Sequence, residues 1–390
     1  MNVGKTPVKF IPPGSTIGIV GGGQLGRMLC SAAHRMGYRT AVLDPDPESP
    51  AAQIANKTVI ADYADIKAVK NLSKVSDVIT FEFENINADA VRIAEEKKIL
   101  FPSSFVLRTT QDRIREKTTL QRLGLPTTEY RVVNDEHSFL LGLRDLGVPC
   151  VLKTATSGYD GKGQIMIDHD DQGLQAFQKL QGKSKSFVLE RKVQFSMELS
   201  VICARDRVGK MTTFPVSENI HVDGILDVSI VPARTSTELL NSASNLSMKV
   251  AQELDVTGLI AVEMFLTESG ELLINELAPR PHNSGHYTID ACRVSQFEQL
   301  VRILCGIPLG STELLKSAAM VNLLGDVWLN ADLNPNWQSV LADASTTLHL
   351  YGKNDIRSGR KMGHITVLEN DPDTAFKKAI QARERSLDRI

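Results

Sequence analysis

Gly258-Leu-Ile-Ala-Val-Glu263-Met-Phe-Leu-Thr-Glu268-Ser269-Gly270-Glu271-Leu-Leu-Ile-Asn275-Glu276-Leu277 is two apolar runs joined by a Ser-Gly pair. Runs of this length and composition around a glycine predict a β-hairpin. With Ser269-Gly270 as a two-residue turn, Glu268 pairs Glu271 and, counting back, Glu263 stands opposite Glu276 on the same face. That face would also carry Ala261, Phe265, Leu272 and Ile274. The other would carry Val262, Met264, Leu266, Leu273 and Leu277, so both faces read as buried. Two carboxylates side by side in a dry sheet repel. Either one is protonated or a cation lies between them. Hard oxygen ligands near a phosphate-binding loop suit magnesium, and Asn275 can join its shell or reach a phosphate oxygen. The alternative is another register with one glutamate exposed.

Upstream, Val151-Leu152-Lys153-Thr154 puts a lysine in an apolar strand, where an ammonium needs an anionic partner. Ser157-Gly158-Tyr159-Asp160-Gly161-Lys162-Gly163 follows, a glycine-rich loop able to lay N–H groups along a phosphate chain. A hairpin turn with solvated lysines is the other reading. Downstream, Arg280, His282, Asn283 and Ser284 crowd a loop stiffened by Pro279 and Pro281, a donor set suited to an oxyanion. Near the C-terminus Lys353, Arg357, Arg360, Lys361 and His364 form a basic cluster, either a phosphate site or a solvated face.

The N-terminal third alternates short apolar strands with amphipathic helices, as a parallel sheet covered on both sides does. Gly21-Gly22-Gly23-Gln24-Leu25-Gly26 fits GxGxxG between strand and helix, with Asp44 ending the second strand. That spacing admits a nicotinamide dinucleotide, and equally a tight turn that needs small residues. Gly4-Lys5-Thr6 resembles the end of a P-loop, but no strand precedes it. The chain has 390 residues, enough for two or three domains. Its near-neutral charge of −2 gives no global pull towards nucleic acid or an anionic membrane. Five cysteines with no CxxC pair read as reduced thiols of a cytoplasmic protein. No run approaches the length of a membrane span, and the first residues lack a signal-peptide core.

Together these segments resemble the ATP-grasp superfamily. More narrowly they resemble the 5-(carboxyamino)imidazole ribonucleotide synthetase family of purine biosynthesis. The likeness rests on GGGQLGRM at Gly21, QDRxxxK from Gln111 to Lys117, SGYDGKGQ at Ser157, HxDGI at His221, NELAPRPHNSGHYT at Asn275 and GRKMGH at Gly359. It implies an α/β chain, α+β in its later parts. A Rossmann-like parallel-sheet domain would span 1–112 and an ATP-grasp domain 113–315, with its lid at about 120–190. A small C-terminal sheet domain would cover 316–390.

The implied reaction is ATP-dependent carboxylation of 5-aminoimidazole ribonucleotide with bicarbonate, through carboxyphosphate. Arg113, Lys153 and the loop Ser157, Gly158, Tyr159, Asp160, Gly161, Lys162 and Gly163 would meet ATP. Glu190, Arg191, Lys192 and Val193 would lie by the adenine, Glu198 by the ribose and His221 near the nucleotide, with Asn275 and Glu276 also contacting ATP. Glu263 and Glu276 would hold magnesium, two ions being compatible with the pair. Arg280, His282 and Asn283 would hold bicarbonate or carboxyphosphate. Gln24, Leu25, Glu82, Tyr159, Asp160, Lys353 and Arg360 would bind the aminoimidazole ribonucleotide. A homodimer is implied, with no nucleic acid and no membrane partner. The rivals are formate-dependent glycinamide ribonucleotide transformylase, a nicotinamide oxidoreductase resting on the first glycine loop, and a non-catalytic nucleotide-binding regulator.

Overall fold

The computed structural model describes residues 9–96, 99–156, 158 and 162–388. Its N-terminal strands are β1 (Thr16–Val20), β2 (Arg39–Asp44), β3 (Lys57–Ile60), β4 (Val78–Phe81) and β5 (Ile99–Leu100). They form one parallel sheet in the order β3-β2-β1-β4-β5. The crossing helices Ile66–Val75 and Ala88–Glu95 begin at Asp65 and Asn87, whose side chains accept the first free N–H groups. The strand order reverses between β1 and β4. The turns that follow these two strands therefore splay apart at the carboxyl edge of the sheet, where open α/β sheets form their binding crevice.

After the helix Arg113–Arg122, capped by Asp112, comes an antiparallel sheet. It contains β6 (Tyr130–Val133), β7 (Cys150–Thr154), β8 (Gln164–Ile167) and β9 (Phe187–Arg191), in the order β6-β9-β7-β8. Helices Glu136–Leu146 and Gly173–Leu180 cover it, and the rings of Phe139 and Phe177 stack 5.1 Å apart between them. The second glycine loop is the β7–β8 connection. Ser157, Tyr159, Asp160 and Gly161 lie outside the described residues.

The remaining strands are β10 (Phe195–Arg205), β11 (Met211–Thr213), β12 (Ser217–Val222), β13 (Ile225–Val231), β14 (Gly258–Thr267), β15 (Leu272–Ala278), β16 (Ser317–Leu324), β17 (Thr346–Leu350) and β18 (Lys361–Glu369). They make a single sheet, β15-β14-β10-β12-β13-β16-β18-β17, with β11 paired to β10. The C-terminal strands thus extend the central sheet through β13. Helix Thr237–Glu253 packs Ala243, Val250 and Ala251 against Leu199, Val201 and Val262 on one part of it. Helix Pro372–Arg385 packs Ala375, Ala379 and Ala382 against Val321, Ile365 and Val367 on another. Helix Gln296–Cys305 shares a core with Ile17 of the first sheet, Leu29 of the helix Gln24–Arg35, and Ile202 and Ala204 of the central sheet, which joins the two units.

The β14–β15 hairpin departs from the expected register at its tip. Thr267 N–H donates to Glu271 O at 2.9 Å, so the loop holds Glu268, Ser269 and Gly270, three residues instead of two. Leu266 pairs Leu272, Phe265 pairs Leu273 and Met264 pairs Ile274. A bulge at Asn275 then absorbs one residue, and Glu263 does stand opposite Glu276. The slip moves Leu272 and Ile274 off the carboxylate face and Leu273 onto it. Ile274 and Leu272 accordingly pack with Val262, Met264 and Leu266. The carboxylate face is not dry, because it opens into a cavity lined by Glu263, Phe265, Asn275 and Glu276.

Candidate active site

The cavity measures about 760 Å³, the size that encloses a nucleotide-sized ligand. The parallel sheet contributes Gln24, Leu25 and the residues Glu82 to Asn85 after β4. The small antiparallel sheet contributes Lys153, Glu190 and neighbours, and the central sheet contributes Glu198, His221 and the hairpin.

The first glycine loop turns out to be closed by the protein itself. Gly22 N–H donates to Asp44 Oδ2 at 2.7 Å. Gly23 and Gly26 N–H donate to the two oxygens of Glu82 at 2.9 and 3.1 Å. Asp44 also accepts the Tyr63 hydroxyl at 2.6 Å, where a dinucleotide fold would offer it to a ribose. A Cβ at Gly22 would lie 2.3 Å from Ser49 Oγ and 2.8 Å from Asp44 Oδ2. The glycines are required by this close approach of internal carboxylates, which take the N–H groups a pyrophosphate would need. The nicotinamide reading is overturned on that ground. Burial pushes the Glu82 carboxyl above its usual range, against the pull of the two glycine N–H groups.

At the hairpin, Glu263 and Glu276 are 21% and 43% exposed to the cavity. His282 Nε2 lies 3.0 Å from Glu263 Oε1. Burial raises the Glu263 carboxyl, but the His282 contact outweighs it and holds the group down at about 2. Glu276 is shifted the other way: burial and the charge of Glu263 raise it, although Arg113, with Nη2 3.6 Å away, opposes them. Asn275, lifted by the bulge, has a buried Oδ1 with no hydrogen-bond partner. Arg113 is fixed by its N–H to Ala155 O at 2.8 Å and by Nη1 to Thr154 O at 3.2 Å. Gly158 abuts it, since a Cβ there would sit 2.6 Å from Arg113 Nη1.

Lys153 points from β7 towards Glu190 on β9, with Nζ 3.2 Å from Oε2. The same oxygen accepts Thr128 Oγ1 at 2.8 Å and lies 3.3 Å from Lys117 Nζ. Glu190 Oε1 is buried and unpartnered. Burial would raise this carboxyl, but Lys153 and Lys117 bring it to about 2. Arg191, Lys192, Val193 and Lys162 also line the cavity. Glu198 and His221 line it as a directly bonded pair through His221 Nδ1. Burial depresses the imidazole pKa, but the bond to Glu198 together with the charges of Glu263 and Glu198 raises it on balance.

The loop after β15 brings Arg280, His282 and Asn283 to the cavity wall. Glu84 grips Arg280 through Nε and, at 2.8 Å, through Nη2, while Nη1 donates to Pro281 O at 3.1 Å. Burial would raise Glu84, but the guanidinium leaves it below its usual range. Asn283 forms a reciprocal amide pair with Asn322 on β16, at 3.0 and 2.8 Å. Lys353 and Arg360 are not in the wall: Lys353 Nζ donates to Lys361 O at 2.7 Å and Arg360 pairs with Asp355 at 2.6 Å. Lys361 is in the wall. Sequence reasoning passed over Glu84, whose partner is 196 residues away, and the stacked rings of Phe195 and Phe265, 4.7 Å apart across β10 and β14. Lys117 belongs to the QDRxxxK motif, which by itself assigns it no task.

Comparison with known proteins identifies the family. Residues 15–111 match the ribonucleotide synthetase preATP-grasp domain. Residues 118–297 match the ATP-grasp domain, and 318–378 the phosphoribosylaminoimidazole carboxylase C-terminal domain. N5-carboxyaminoimidazole ribonucleotide synthase of Bacillus subtilis is 47% identical over 94% of each chain. The solved ADP complex of an N5-carboxyaminoimidazole ribonucleotide synthetase superposes with a TM-score of 0.91 at 45% identity, covering 96% of this chain and 98% of its own. The Aspergillus clavatus synthase, solved with ADP and 5-aminoimidazole ribonucleotide, gives 0.88 at 32% identity, covering 96% and 99%. With nearly half the residues shared along almost the full length, this chain belongs to the N5-carboxyaminoimidazole ribonucleotide synthase family of ATP-grasp ligases.

Proposed function

We propose that the chain carboxylates 5-aminoimidazole ribonucleotide with bicarbonate at the expense of ATP, and that the cavity described above is where it does so. A bicarbonate oxygen attacks the γ-phosphorus and the bond to the β,γ-bridging oxygen breaks, releasing ADP. The substrate amine then attacks the carboxyl carbon of carboxyphosphate, or carbon dioxide released from it. Phosphate leaves, the nitrogen gives up a proton, and the carbamate remains. Phosphoryl transfer of this kind needs positioned cations more than a covalent nucleophile.

The observation that carries the reading is the face-to-face pair Glu263 and Glu276 beside the unpartnered Asn275 Oδ1, in one cavity with Arg113 and Lys153. These oxygens fit magnesium. Among the described residues no group of three or more His, Cys, Asp or Glu is set to hold a metal. Two carboxylates with nucleotide oxygens and water completing the shell is the usual magnesium arrangement. When bound, the ion neutralises charge on the phosphoryl oxygens. On this reading Arg113 and Lys153 meet the phosphates, with Lys162 on the loop over them. Residues 190–193 border the base, and Glu198 the ribose with His221 beside it. His282 and Asn283 would hold the bicarbonate-derived carboxyl group. Arg280, gripped by Glu84, would present its remaining N–H groups to the same anion. Gln24, Leu25 and Glu82 would border the ribonucleotide, with Lys353 and Arg360 reaching it on closure. The same reading divides the chain after 112 and after 315, and makes it a cytoplasmic homodimer. The five free, buried thiols accord with a reducing compartment.

The test is ADP release with ATP and magnesium, adding 5-aminoimidazole ribonucleotide and bicarbonate separately and together. Release stimulated by the ribonucleotide, with bicarbonate required for the carbamate, supports the reading. Stimulation by formate with glycinamide ribonucleotide would select the transformylase instead.

A further inference from the structure

Lys117 stands behind the cavity wall, with a side chain only 1% exposed. A buried ammonium is tolerated only when its charge and its donors are met. Here Nζ donates to Thr127 Oγ1 at 3.0 Å and to Thr128 Oγ1 at 2.7 Å, and lies 3.3 Å from Glu190 Oε2. Glu190 is thus shared by two ammonium groups, Lys117 on the far side and Lys153 on the cavity side. One negative and two positive charges leave the triad with a surplus of one positive charge, and only Lys153 can show it to the cavity. Without Lys117, Glu190 and Lys153 would be a closed, neutral pair. The attraction drawing Lys153 back would then be unopposed.

A second thread leaves the same ammonium. Thr127 Oγ1 donates to Ile274 O at 2.9 Å, and Ile274 N–H donates to Pro126 O at 2.9 Å. Ile274 immediately precedes the bulged Asn275. Lys117 therefore ties β9, which carries Glu190, to β15, which carries Asn275 and Glu276.

We propose that Lys117 is a positioning residue for the nucleotide: it neutralises Glu190 from behind and so leaves the Lys153 ammonium to the phosphates. The proposal rests on Lys153 being a phosphate ligand, and its test separates the two. ADP affinity is measured by titration calorimetry on the full chain for the wild type, Lys153→Met, Lys117→Met, Lys117→Gln, Glu190→Gln and the double variant Lys117→Met/Glu190→Gln. Lys117→Gln keeps a donor for the threonines without the charge. It also serves if the methionine variant folds poorly, as its thermal melt would show. Lys117→Met and Lys117→Gln should each weaken ADP by about tenfold. Glu190→Gln should tighten ADP in the Lys117→Met background and fail to do so in the wild-type background, because only in the former does it release a captured Lys153. Unchanged affinity in both Lys117 variants, or a further loss in the double variant, overturns the proposal and leaves Lys117 a purely structural tie. Wild-type affinity in Lys153→Met overturns the phosphate role of Lys153 itself, and the proposal with it.

Discussion

At the N-terminal glycine turn, the N–H groups of Gly22, Gly23 and Gly26 are already met by Asp44 and Glu82. At the β14–β15 hairpin, two carboxylates face each other, and the buried amide oxygen of the neighbouring Asn275 has no hydrogen-bond partner. Both places combine acidic side chains with a local irregularity of the backbone. The turn satisfies its polar groups internally and becomes a joint. The hairpin leaves an acceptor buried and unpaired beside a like-charge pair, an arrangement costly by itself that a bound cation relieves. A motif that looks like a ligand site can thus be architecture. The more informative sign is polar capacity the fold has not used.

The sharpest way to break this contrast is Glu276→Gln. If the hairpin is the working site, turnover should fall by on the order of 100-fold or more, while the melting temperature changes little, because the side chain already faces the cavity. Wild-type turnover would end the metal assignment. The converse experiment is Glu82→Ala, which strips the turn of two charge-assisted bonds. Urea unfolding should show a loss of about 2–4 kcal/mol, and adding NAD should not restore stability. A stable variant rescued by NAD would show the turn to be a binding site after all. Gly22→Ala sharpens the same point. Its Cβ would fall 2.8 Å from Asp44 Oδ2, and chemical denaturation should register about 1–3 kcal/mol of overpacking.

The smallest effect concerns acid. Glu190 is held at about 2 in the fold, below the ~4.3 of an unfolded glutamate. Its ionised form therefore contributes stability above pH ~4.3, a contribution lost as pH falls towards 2. Glu190→Gln should remove that part of the acid dependence and shift the midpoint of acid unfolding by on the order of half a pH unit. An unaltered acid limb would mean that the Lys117 and Lys153 contacts do not persist in solution.

Much of the fold was legible locally. The parallel-sheet pattern and the hairpin follow from periodicities of a few residues. The pairing of Glu263 with Glu276 was read correctly through a turn that was not. The two-residue loop was one residue short, and the bulge at Asn275 restored the count. No local rule announces that bulge. It coincides with the bridge from Thr127 to Ile274, more than a hundred residues away in the chain.

By itself the sequence determined which residue types recur at strand and helix spacing, and hence the elements, their order and the two glutamates on one face. Those properties depend on neighbours within a turn or a strand. The tertiary structure alone decided that Glu82 would close the glycine turn, that Glu84 would grip Arg280, and that Lys117 and Lys153 would share Glu190. Each of these is a charge finding its partner across tens to hundreds of residues. Burial sets how strongly each pair interacts, and burial exists only once the sheets have packed.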